Sequence, residues 1–138
     1  MEKNKLPKTY EEACVLVGER PMNEEEMAKI LRPDEIARRK LTTIAKALNG
    51  PEWEPDWYDC SQAKWHPWFW IRGMRFGDSA YDWLAFADSN YASSLAPAGI
   101  GSRICFKSEA LSDYAAETFP DLWDQAFFGD DERYPNIR

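Results

Sequence analysis

The sequence has one histidine, His66, and three cysteines, Cys14, Cys60 and Cys105, with no C-x-x-C spacing among them. A single imidazole excludes zinc sites built on two histidines, and any Ser-His-Asp or Cys-His arrangement must be centred on His66. Three widely spaced thiols do not make a disulfide framework. Together with the opening MEKNKLPKTY, which lacks an apolar segment of signal-peptide type, they point to a reducing cytosol and a chain that is not exported. No apolar run approaches the length needed to span a bilayer, so no membrane partner is expected. Phosphate cradles are also lacking: GIGSR (99–103) has two glycines but neither the Rossmann spacing nor a Walker lysine, and reads as a loop feeding a strand. Nothing in the sequence calls for a cofactor or a metal.

Basic charge is scarce in the second part of the chain. Residues 1–50 carry ten Lys and Arg against nine Asp and Glu, whereas residues 51–138 carry seven against fifteen, so the formal net charge of -7 belongs to the second part. Such a surface repels phosphate backbones, and nucleic-acid binding is not expected. The one dense basic spot, Arg38, Arg39 and Lys40, spreads around a helix and reads as a solvated face.

Aromatic residues, by contrast, are plentiful. Of seven tryptophans, Trp53, Trp57, Trp65, Trp68 and Trp70 fall within eighteen positions. An indole buries a large area but carries an N–H that needs a partner, so such a run is either core or a ligand platform. The packing reading is preferred: most of the seven are expected to join a small sheet to its helices. A reserved patch of Trp53, Asp56, Trp57, Tyr58, Asp59 and Trp65 is the candidate binding surface. Glu52, Glu54, Asp56 and Asp59 alternate with aromatics, a mixture that sugar-binding loops and glycosidases use. The plainer alternative is an acidic loop pinned to the core by its rings. His66, between Trp65 and Pro67, is read as a packing residue with one satisfied nitrogen rather than a general base. Cys60 has no visible activating cation.

At 138 residues the chain fits one domain, with residues 1–8 and 130–138 expected to be loosely ordered. Thr9 and Glu12 have capping-box spacing and Gly18 suits a left-handed cap, which predicts a two-turn helix. Asn23 with Glu24, Glu25 and Glu26 opens a second helix, with Met27, Ile30 and Leu31 facing inward. Pro33 starts a third that ends near Asn49 and Gly50, with Ala37, Leu41, Ile44, Ala45 and Leu48 as its apolar stripe. Three antiparallel strands are predicted at 67–72, 80–87 and 102–108, with Arg103 and Lys107 pairing with nearby acids. Ser108 caps a last helix that Pro120 kinks or restarts after Phe119. The fold class is therefore α+β: N-terminal helices, a small antiparallel sheet of about three strands, and a C-terminal helix packed on the sheet.

The segments TYEEACVLVGERP, KLTTIAKALNG, WEPDWYDCSQAKWHPWFWI and GSRICFKSEALSDYAAETFPDLW, taken in order, resemble a family of small uncharacterised proteins encoded by phages and prophages of intestinal anaerobic bacteria. The similarity covers nearly the whole chain. Its most specific parts are Trp53, Pro55, Asp56, Trp57, Gln62, Lys64, Pro67, Trp68 and Phe69, and the box Gly101 to Ser108. The family pattern has tyrosine at the position of His66 and lacks the proline of FPDLW. The first departure weakens any catalytic role for the imidazole, and the second puts a straight last helix in doubt. The resemblance implies a phage origin, a place in the bacterial cytoplasm or the virion, and no established activity.

Three functions are therefore carried forward. The leading one is a non-enzymatic phage accessory protein acting through contact with a phage or host protein, since exposed indoles are common interface anchors. The second is an acidic inhibitor that imitates nucleic acid toward a host defence nuclease. The third is a glycan-binding or glycan-cleaving protein using residues 52–59.

Overall fold

A computed structural model describes residues 5–71, 84–96, 98 and 101–129. Its elements are α1 (Tyr10–Val17), α2 (Glu24–Met27), α3 (Pro33–Asn49), β1 (Lys64–Ile71), β2 (Leu84–Ala92), α4 (Glu109–Thr118) and α5 (Pro120–Phe128). The fold is α+β, with α1 and α5 flanking α3 and with α4 packed on both strands.

The helix ends are set by local chemistry. Thr9 Oγ1 accepts the Glu12 N–H at 3.1 Å, and Gly18 closes α1 at φ 71°, a conformation that any Cβ would strain. Asn23 likewise caps α2 by accepting the Glu26 N–H. This helix lasts only four residues. The residue before a proline is pushed to extended backbone, and Arg32 (ψ 158°) breaks the chain ahead of Pro33, so α2 cannot run on into α3. Ile30, expected to face inward, therefore falls off helical phase and is 77% exposed. In α3 Pro33 takes the first position, and the Glu35 carboxylate reaches back to the Arg32 N–H at 2.9 Å. All five stripe residues, Ala37, Leu41, Ile44, Ala45 and Leu48, are buried.

At the other end Ser108 Oγ accepts the Leu111 N–H, α4 stops at Thr118, and Pro120 restarts the chain as α5. Trp123 locks this corner. It is fully buried, its Nε1 donates to Ala115 O at 3.0 Å, and its ring lies 5.4 Å from that of Phe69 on β1. Tyr114 Oη donates to Pro7 O at 2.9 Å, and Leu6 and Pro7 are buried. The described start of the chain is thus docked where loose order was expected for residues 1–8; residues 1–4 and 130–138 lie outside the described residues.

Of the three strands expected, the described residues contain two, β1 and β2, antiparallel with Lys64 opposite Ala92 and Ile71 opposite Leu84. Trp68 faces Asp88 and Phe69 faces Phe86, leaving Ala87 as the extra residue of a bulge. Of the strand expected at 80–87, residues 80–83 lie outside the described residues, and β2 runs five residues beyond its predicted end. The segment 102–108 contributes one bridge, in which Trp65 and Phe106 exchange both backbone bonds at 2.8 and 2.9 Å. Proline explains why the ladder goes no further. The next bonded pair in this register is Pro67 with Ile104, and Pro67 has no N–H to offer Ile104 O. The Nδ1 of His66 takes that carbonyl instead, at 3.2 Å. On the far edge Asn49 Nδ2 donates to Cys105 O and Asn49 Oδ1 accepts the Lys107 N–H, so a buried amide from α3 fills the place of another strand.

Candidate functional site

The loop between α3 and β1 holds most of the candidate patch and is tied down internally. Asp56 Oδ1 accepts the Tyr58 N–H, and Asp59 Oδ1 accepts both the N–H and the hydroxyl of Ser61, two side-chain turns of the kind aspartate favours. The Ser61 donors hold the Asp59 carboxyl below its ordinary range. Gln62 spans the loop, accepting the Asp56 N–H at 2.7 Å and donating to Glu54 O at 2.9 Å. Trp57 is half-buried, and its Nε1 donates to Ser102 O at 3.2 Å.

Lys64 sits beneath this loop. Its side chain is wholly buried, Nζ donates to Asp59 O at 2.9 Å and Ser93 O at 2.7 Å, and the ammonium lies 5.0 Å from the centre of the Trp57 ring. Two carbonyls and an indole face replace its hydration. Burial pushes the neighbouring Cys105 thiol up to about 11, with Lys64 opposing it, so this cysteine stays a neutral packing group.

Of the candidate residues, the structure brings Trp57 and Asp59 together around Lys64. Trp53 and Trp57 line a shallow cleft of about 340 Å³ with Arg103. Tyr58 stands fully exposed. Trp65 is apart from them, half-buried on the helix side of β1, its ring tilted against that of Tyr91 with centres 5.0 Å apart. Among the described residues neither Arg103 nor Lys107 forms an ion pair; the pairs present, such as Lys40 with Glu24 and Lys46 with Glu19 at 2.8 Å, lie among the N-terminal helices.

The other face of β1 is where indoles are left uncovered. Alternate residues of a strand point to opposite sides. Phe69 turns toward Trp123, and Ser89, opposite Pro67, bonds Asp113 of α4 at 2.6 Å; both mark the helix side. His66, Trp68 and Trp70 therefore share the outer face with Asp88 and Asn90. Trp68 is 56% exposed and Trp70 50%. Two adjoining clefts of about 280 Å³ each use Trp68 as a common wall: one also meets Trp70 and Asp88, the other His66, Tyr91 and Leu95. Asp88 is exposed, and its carboxylate has no cation partner among the described residues. The tryptophans as a group are thus less interior than expected. Trp123 is core, Trp53, Trp57 and Trp65 are half-buried, Trp68 and Trp70 are exposed, and Trp83 lies outside the described residues.

His66 is 4% exposed, and desolvation lowers its pKa while the bond to Ile104 O acts the other way. With Nδ1–H donating, Nε2 is a buried lone pair without a partner among the described residues. No serine, cysteine or carboxylate among the described residues is bonded to the ring. The Ser89–Ser112–Asp113 cluster has hydroxyls and an acid at 2.6–2.7 Å but no base, and it pins α4 to β2. Neither Trp68 nor Trp70 belonged to the candidate patch. The signal for them was present in WFW itself, because once Phe69 is core, period two turns both neighbours outward.

Among the described residues no group of three or more His, Cys, Asp or Glu is placed to hold a metal, and no helix is long and apolar enough to cross a membrane. Comparison with known proteins finds no matching family model, no matching curated protein and no matching solved structure.

Proposed function

We propose that this chain is a non-enzymatic accessory protein, of phage origin as the sequence resemblance implies, that acts by docking another protein on the outer face of β1 and β2. One observation carries the reading: Trp68 and Trp70 project from adjacent same-face positions of a strand and remain half or more exposed, and neither indole N–H is hydrogen-bonded among the described residues. Exposed indoles on a rigid ladder are the residues from which interface hot spots are built. The loop carboxylates give the nucleic-acid-mimic reading less support, because Asp56 and Asp59 are committed to the loop's own turns. The glycan reading placed at 52–59 loses the same two acids to the loop's own turns.

A photo-crosslinking residue at position 70, compared with one at Glu117 on the exposed side of α4, tests the proposal in cells that express the full chain. A discrete adduct from position 70 that is absent from position 117 is the expected result. Identical adduct patterns from both positions, or none from position 70, would overturn it.

A further inference from the structure

We infer that the partner presents an arginine, seated in the cleft between Trp68 and Trp70 against the carboxylate of Asp88, and that the docking segment is basic. The inference rests on the reading of this face as an interface and adds the chemistry of what binds there.

β1 and β2 contain one acid, Asp88, and one cation, Lys64. Lys64 is buried at the far end of the ladder and saturated by two carbonyls and the Trp57 ring, so it does not neutralise Asp88. Asp88 is left as an exposed carboxylate, with no cation partner among the described residues, directly across the ladder from Trp68 on a chain of net charge -7. His66 adds no opposing charge, because burial of its ring disfavours the protonated form and outweighs the bond to Ile104 O. A cation approaching this face meets attraction from the carboxylate and from two indole faces at once.

Geometry selects guanidinium. Trp68 and Trp70 are two residues apart on an extended strand, a repeat of about 6.6 Å, which is close to twice the ~3.5 Å contact distance between packed atoms and leaves room for one flat group touched on both sides. Guanidinium is flat and can meet a carboxylate with two parallel N–H bonds, whereas an ammonium offers a point charge that cannot use both walls. The protein already places cations on rings elsewhere, with Lys64 over Trp57 at 5.0 Å and Lys40 over Tyr10 at 5.4 Å. A second copy of this chain fits less well, since twofold pairing through the face would bring Asp88 toward its own counterpart between two acidic molecules.

The test uses the full isotope-labelled chain and three probes: acetyl-Gly-Arg-Gly-amide, the same peptide with neutral citrulline for arginine, and cellobiose. Resonances of the two indole N–H groups are assigned with Trp68→Phe and Trp70→Phe. Saturable shifts confined to those indoles and to residues 87–90 are expected with the arginine peptide, at millimolar affinity. Citrulline, or Asp88→Asn in the protein, weakens binding by about tenfold. Asp88 is exposed, so its replacement leaves the fold intact. Equal binding of arginine and citrulline peptides, indifference to Asp88→Asn, or a response to cellobiose alone overturns the inference. If the position-70 adduct persists in that case, the interface stands and only its partner chemistry is wrong. Loss of both results retires the interface as well.

Discussion

Trp57 and Trp68 lie eleven positions apart, and the fold treats them in opposite ways. Trp57 gives its N–H to Ser102 O and its ring face to a buried ammonium, so both assets of the indole are used inside the molecule. Trp68, beyond the reach of that loop, forms one wall of two clefts and leaves more than half its surface to solvent. The difference shows that a dense run of tryptophan is not one feature. Position relative to the strand's inner face decides whether an indole supports the fold or remains available to a partner.

The contrast is sharpest against an indole that is wholly core. Trp123→Ala removes a fully buried ring bonded to Ala115 and packed on Phe69, and is expected to cost about 3–5 kcal/mol in urea unfolding. Lys64→Ala comes next. It empties a buried site and leaves the carbonyls of Asp59 and Ser93 without their donor, an expected loss of about 2–4 kcal/mol that would also loosen residues 51–63 to hydrogen exchange. Trp57→Phe keeps an aromatic face over Lys64 but drops the bond to Ser102, and should cost about 1–2 kcal/mol. If Trp57→Phe were neutral, the bond to Ser102 would not hold the loop down.

How much of this could be read from the sequence depended on whether the controlling signal was local. Thr9, Gly18, Asn23, Pro33, Ser108 and Pro120 each act within four residues, and each marked its helix boundary. Ile30 went wrong because helical phase was carried past the end of a four-residue helix. The third strand went wrong through a residue outside it: Pro67 on β1 withholds the N–H that Ile104 needs, and composition at 102–108 holds no trace of that. The acidic loop was readable as a clamp, but its anchor, Lys64, was not, since a buried lysine held by carbonyls has no sequence signature. Trp68 and Trp70 were legible in principle from period two but were masked by the run of indoles around them.

His66 supplies a smaller effect with a definite sign. Its folded pKa lies below the ordinary 6.5, so in the window between the two values the unfolded chain binds a proton that the folded chain refuses. The stability it contributes is complete above about pH 6.5 and is lost as pH falls toward the folded-state value. Unfolding midpoints at pH 7.5 and 5.5 should therefore diverge more in the native chain than in His66→Gln, which retains an N–H donor and does not titrate.

The least effect is expected where the account places the function. Equilibrium unfolding of the double variant Trp68→Thr/Trp70→Thr, which keeps strand-forming residues at both positions, should show a loss of only about 1 kcal/mol with an unchanged denaturant slope. A loss matching that of Trp123→Ala would mean that these two indoles hold the sheet together, and the outer face would no longer be a surface kept for a partner.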